Sequence, residues 1–191
     1  MERMPILEQE TSVFPAELLR STEFEAGNPH RRWWAIFTKA RNEKALARDL
    51  LGFGIPYYLP LVPRKNLVRR RVVHSHIPLF TGYVFLFGSE QERVQSLKTN
   101  RVCAVLDVED QQHLRSDLSQ VQQLVESGAP LTVEQRLKPG QPVRIKRGPF
   151  VGIEGVITQR RRGQQCLLVA VDFLQCGVSV EVDDFMVEPI R

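Results

Sequence analysis

Few residues in this 191-residue chain are of types and spacings that could do chemistry. His74-Ser75-His76 would turn two imidazoles to one face of a strand, as a metal site begins. Such a site wants a third or fourth ligand, and no Cys, His, Asp or Glu cluster nearby offers one, so solvated or phosphate-facing histidines are expected. His30 and His113 are isolated. The glycines of Gly148-Pro149-Phe150-Val151-Gly152-Ile153-Glu154-Gly155 lack the Gly-Lys-Ser/Thr before a helix that a phosphate-cradling loop requires, and fit a tight turn between strands. Carboxylates cluster at 107–110 and 181–184, where Asp183-Asp184 suits a turn better than an acid/base pair. Nothing marks a nucleophile elbow. The three cysteines, Cys103, Cys166 and Cys176, are an odd number without Cys-x-x-Cys spacing, each in or beside an apolar stretch. They read as small buried hydrophobes in a reducing cytosol. Binding, not catalysis, is expected, with no metal and no cofactor.

Charge narrows the class of partner. Residues 1–30 carry net −4, residues 31–78 net +9, residues 79–137 net −3 and residues 138–191 net +2. Eleven Lys and Arg against Glu43 and Asp49 make the second block a field that attracts phosphates by releasing their counterions. No apolar run reaches the ~18 residues of a membrane-spanning helix, and Met1–Glu10 lacks the apolar stretch of a secretory signal, so a cytoplasmic protein is expected.

The elements that must position these residues follow from periodicity. Residues 1–30, acidic and with three prolines, read as a mobile extension. Trp33–Thr38 reads as a buried strand, and Asn42 as the cap of a helix through Leu51 with Leu46/Leu50 and Ala47/Leu51 packed. Ile55–Leu59 is a short strand, and Arg64–His76 a projecting basic hairpin. Leu79–Phe87 is a central strand, and Ser89 with Glu92 a capping box. Val102–Val108 is another strand, followed by a helix capped at Ser116 or Asp117 and stopped by Gly128. The alternation implies an α/β sandwich over 31–127 whose helices cover a sheet. Residues 128–140 read as a linker.

From Gln141 the apolar period becomes two. Five strands, roughly 143–146, 153–159, 166–172, 178–182 and 185–188, are expected to close into a small barrel over 141–191. The fold class is thus α+β, a sandwich followed by a β-barrel. In the Leu79–Phe87 strand, Tyr83, Phe85 and Phe87 share the face opposite Phe80. That face is either covered internally or a docking patch.

The chain resembles the NusG/RfaH family of transcription elongation factors, called Spt5 in archaea and eukaryotes. The resemblance is carried by Trp33-Trp34-Ala35-Ile36-Phe37-Thr38, by Tyr58-Leu59-Pro60 and above all by Pro78-Leu79-Phe80-Thr81-Gly82-Tyr83-Val84-Phe85. Asn100-Arg101-Val102, Gly140–Ile145, Gly148–Gly155 and Val180-Glu181-Val182 extend it over residues 32–191. Thr81 stands where the family has proline, and Asp172-Phe173-Leu174-Gln175-Cys176-Gly177 departs from the usual loop. The N-terminal extension has no counterpart in the family pattern.

The resemblance implies an NGN-like sandwich and a KOW barrel. It implies a non-enzymatic monomer that binds RNA polymerase through Phe80, Tyr83 and Phe85 and suppresses pausing or termination. DNA of the elongation complex would meet Lys39, Arg41, Lys44, Arg69, Arg70, Arg71 and His74. A ribosomal protein or termination factor would meet Phe173 and Leu174. The departures point to a specialised paralogue, located in the cytoplasm at the nucleoid during transcription, without membrane contact. The alternative is a ribosome-associated RNA-binding KOW protein. The strong β-pattern of 143–182 argues for a permanent barrel.

Overall fold

Backbone pairing begins earlier than the sequence suggests. In the computed structural model, which describes residues 10–20, 30–68, 71–134, 140–159, 165–182 and 187–190, Val13–Phe14 (β1) already pairs antiparallel with Tyr57–Tyr58 (β3). Residues 10–20 are therefore not the mobile stretch expected. Leu18 and Leu19 are buried, Ser12 O accepts the Leu59 N–H at 2.6 Å, and Glu10 pairs with Arg48 at 3.2 Å. The apolar residues Val13, Phe14, Leu18 and Leu19 outweigh the acidic composition. The buried Tyr57 hydroxyl donates to Thr11 O at 2.9 Å, and burial, helped by the Glu10 carboxylate, pushes its pKa up to about 12.

Contacts group the chain into two units, Met1–Leu18 with Trp34–Leu106, and Leu19–Trp33 with Asp107–Arg191. The sheet of the first unit contains β1, Arg32–Thr38 (β2), β3, Tyr83–Gly88 (β6) and Val102–Asp107 (β7), in the order β1-β3-β6-β2-β7. As its composition predicts, β6 is central. The helix Glu43–Gly52 (α1) lays Leu46, Ala47 and Leu50 into a core with Ile36, Ile55, Leu59, Val84 and Leu86. Each fully buried aliphatic contributes roughly 1.5–3 kcal/mol. Leu51, expected inside, is 37% exposed. Asn42 occupies the cap position without a side-chain cap, because its amide group turns to Ala40 O and to Arg101. Leu61–Val68 (β4) and Arg71–Pro78 (β5) form the expected hairpin as a separate two-stranded sheet, paired from Leu61↔Pro78 to Val68↔Arg71. The capping box Ser89/Glu92 opens Glu90–Leu97 (α2) as predicted. Cys103 on β7 is exposed, not the buried hydrophobe expected, since β7 is an edge strand.

In the second unit Gln111–Glu126 (α3) starts before the expected caps. Asp110 is the cap, its carboxylate accepting the His113 N–H at 2.8 Å, while Ser116 and Asp117 lie inside the helix. Leu114, Leu118, Val121 and Leu124 are buried at helical spacing. Gln111 ties the helix start to Trp33, accepting its N–H at 2.6 Å and donating to its carbonyl at 3.1 Å.

The C-terminal strands are Gln141–Ile145 (β9), Glu154–Gln159 (β10), Gln165–Val171 (β11), Cys176–Glu181 (β12) and Val187–Pro189 (β13). A strand read as linker, Thr132–Glu134 (β8), joins them, giving an open six-stranded order β13-β9-β10-β11-β12-β8 among the described residues. The expected closure into a barrel is therefore not what these pairings show, because β8 takes the β12 edge. Gly148 and Gly152, at φ 92° and 90°, form the turn after β9 in the left-handed region, the role the sequence assigns them. A 3-10 turn, Asp172–Leu174, links β11 to β12, and α3 packs on β11 and on this turn. The Asp183-Asp184 pair lies outside the described residues.

Candidate interaction surface

At one end of β6 the chain must reverse sharply from β5. Gly82 makes that turn at φ 86°, a conformation that favours glycine. A Cβ there would stand 2.8 Å from Cε2 of Phe37. The first residue of α1, Glu43, is buried and accepts the Gly82 N–H at 2.7 Å, while Gly82 O accepts from Thr38 N at 2.8 Å. A helix terminus, a strand end and a glycine thus fix the position of Tyr83.

Tyr83 is half-buried, and its ring meets that of Phe37 with centroids 5.3 Å apart and planes inclined by 50°. Phe37 is 39% exposed. Phe80 and Phe85 pack edge to face at 6.4 Å and are 3% and 0% exposed, and Phe87 is 2% exposed. Phe85 and Phe87 are therefore not on a free face with Tyr83, because both sides of β6 are covered. At this end of β6 the accessible aromatic pair is Phe37 with Tyr83. The sequence reading missed Phe37, treating its whole strand as buried. The available signal was an aromatic at the strand end, immediately before Thr38 and Lys39.

Lys39 lies two residues beyond Phe37, exposed, its Nζ donating to Asn100 Oδ1 at 2.7 Å. Lys39 N also donates to Arg101 O at 2.8 Å, so loops 39–42 and 98–101 form one corner. Arg101 braces that corner from within, with Nε 2.5 Å from Asp49 Oδ2 and Nη1 donating to Asn42 Oδ1 at 3.2 Å. Arg41 and Asn100 both hold left-handed backbone, at φ 60° and 59°. Non-glycine residues in that region cost about 1 kcal/mol or more each and persist where the surroundings impose them. Arg41 is exposed and Lys44 half-buried at the start of α1. Arg71 and His74 lie on β5 at register positions opposite Val68 and Lys65, whereas Arg69 and Arg70 lie outside the described residues. The structure thus gathers Lys39, Arg41 and Lys44 near one corner, with Asn100 as a member that sequence reasoning overlooked.

In the second unit Phe173 and Leu174 sit half-buried on the 3-10 turn. Among the described residues no group of three His, Cys, Asp or Glu side chains could hold a metal ion, and no helix is long and apolar enough to cross a membrane.

Among solved structures, the chain is similar to one of Thermotoga maritima NusG that addresses domain interaction. Identity is 20% and the TM-score 0.45, over 84% of this chain and 98% of that one. It is also similar to the MjSpt4:Spt5 complex in conformation B, at 14% identity and a TM-score of 0.25, over 83% and 96% of the respective chains. Comparison with curated proteins finds no match. A family model described as transcription termination factor nusG matches residues 31–137, more than half of the sequence and all of the aromatic and basic corner. The chain therefore belongs to the NusG family of transcription factors.

Proposed function

We propose that this chain is an elongation and antitermination factor that docks on RNA polymerase through Tyr83 and Phe37, with Phe80 and Phe85 packed beneath as their support. The observation that carries the reading is the Phe37–Tyr83 pair, exposed at Phe37 and half-buried at Tyr83, fixed by Glu43 and Gly82 and adjoined by a cationic corner, inside the segment the family model matches. Aromatic anchors in a desolvated interface often contribute roughly 2 kcal/mol or more. No bond is made or broken. Binding that is tighter to the elongating than to the paused polymerase shifts the population towards elongation.

Lys39, Arg41, Lys44 and the β4–β5 hairpin, with Arg69, Arg70, Arg71 and His74, supply phosphate contacts to DNA of the elongation complex. Such contacts are blind to sequence and weaken as salt rises. The C-terminal strands act as a KOW-type module, with Phe173 and Leu174 meeting a ribosomal protein or a termination factor. The unusual sequence of Asp172-Phe173-Leu174-Gln175-Cys176-Gly177 supports a specialised paralogue.

The test is capture of core RNA polymerase at low ionic strength by wild type, Tyr83→Ala and Phe37→Ala. Loss of about 2 kcal/mol predicts roughly thirtyfold weaker capture by Tyr83→Ala. Failure of wild type to capture polymerase, or equal capture by all three, rejects the reading. Co-sedimentation with ribosomal subunits that survives Tyr83→Ala would favour the RNA-binding alternative instead.

A further inference from the structure

The second unit contains a cluster of ionisable groups that the proposed function does not use. His113, in the first turn of α3, places Nε2 2.8 Å from Asp172 Oδ2 and 3.7 Å from Asp117 Oδ2. Asp117, one helical turn on and only 7% exposed at its side chain, accepts the Asp172 backbone N–H at 3.2 Å. One helix thus grips the turn after β11 twice, once through a carboxylate and once through an imidazole. We propose that His113, Asp117 and Asp172 form a protonation-sensitive latch that holds the Asp172–Leu174 turn against α3 and loosens as the pH rises.

The charges around the imidazole decide the direction. Asp110, the cap of α3, lies against His113 through its backbone N–H, and Asp107 and Glu109 line the same cavity as His113, Asp172 and Phe173. Arg32 pairs with Asp107 at the edge of this group. β11, packed on α3, brings Cys166 as its titratable side chain, and that residue is buried. A protonated His113 is a cation shared between Asp117 and Asp172. When it loses its proton, the carboxylates of Asp110, Asp117 and Asp172 face one another without it, and they repel, with water screening Asp172, which is half exposed, more than the buried Asp117.

The proton affinities agree with that geometry. The hydrogen bond to Asp172, then the charge of Asp117, raise the His113 pKa above its ordinary value. Burial, only partly offset by attraction to His113, pushes the Asp117 carboxyl up to about 6. Both groups bind protons more tightly latched than released, so the latched state holds the extra protons and weakens as they leave. For Asp117 the loss falls between its ordinary value of 3.8 and about pH 6. The His113 contribution is complete below its ordinary value of 6.5 and is lost as the pH rises through its raised value.

Hydrogen exchange of the full-length chain, corrected for the intrinsic rate at each pH, reads the latch at the Asp172–Leu174 amides. Wild-type protection there is expected to fall several-fold between pH 6 and 8.5 as the proton leaves His113. His113→Lys keeps a cation throughout and is expected to flatten the fall to less than about twofold. Protection of Val84–Leu86 in the same samples reports whether the first unit stays folded. Level protection in wild type, or an equal fall in His113→Lys, overturns the latch. Should His113→Lys lose its fold, nuclear magnetic resonance titration of wild type decides. An imidazole titrating above 6.5 in step with the Asp172 amide supports the latch, and independent titration of the two rejects it.

Discussion

Two turns in this molecule carry candidate contact residues, and each is held by a buried helix carboxylate that accepts a backbone N–H. Glu43 of α1 holds Gly82 at 2.7 Å and so positions Tyr83. Asp117 of α3 holds Asp172 at 3.2 Å and so positions Phe173. They differ in what surrounds the carboxylate. Glu43 sits beneath a glycine turn whose shape is also fixed by the Phe37 ring and the Thr38 hydrogen bond. Asp117 shares its partner with a histidine and faces further carboxylates, which couples its grip to protons. The same backbone device thus makes a turn fixed by packing in one place and a turn tuned by charge in the other.

Substitutions can break this parallel, beginning with the largest effect. Glu43→Ala leaves the buried Gly82 N–H without its acceptor and is expected to destabilise the chain by about 2–3 kcal/mol. Glu43→Gln, which keeps an acceptor oxygen, is expected to lose less than half of that. Denaturant unfolding measures both, and equal losses would show that charge, not hydrogen bonding, holds the turn. Gly82→Ala is expected to cost about 1–2 kcal/mol through its positive φ alone, and also to displace the Phe37 ring and weaken polymerase capture. A stable Gly82→Ala chain with full capture would separate the turn from the docking surface. Asp110→Ala removes the α3 cap at a cost of about 1 kcal/mol. Asp117→Asn, the subtlest change, is expected to melt above wild type at pH 8 and to lose that advantage at pH 4, because only the carboxylate pays for ionising in a buried site. Thermal melts at the two pH values check the sign.

Much of the first unit was legible in local pattern. The aromatic β2, the central β6, the Ser89/Glu92 box and the basic hairpin all follow from residue type and period, since each is decided by neighbours within a few positions. The misses share a cause. The cap of α3 fell at Asp110 because the helix start is fixed by Gln111 bonding to Trp33, far away in sequence. Val13–Phe14 became a strand because β3 offered an open edge. β8 was read as linker because three residues show no period, and its role depends on the β12 edge it meets.

The candidate site divides in the same way. Composition and order alone placed a basic block before an aromatic strand and a second β-rich region after it. Motif order also carried the family resemblance. Which aromatics reach solvent was decided only by tertiary packing. Strand alternation assigns a side chain to a face, but whether that face is covered depends on elements distant in the chain. Phe85 and Phe87 are therefore buried while Phe37 is exposed. The pairing of His113 with Asp172, 59 residues apart, is likewise a product of how α3 meets β11 and its turn.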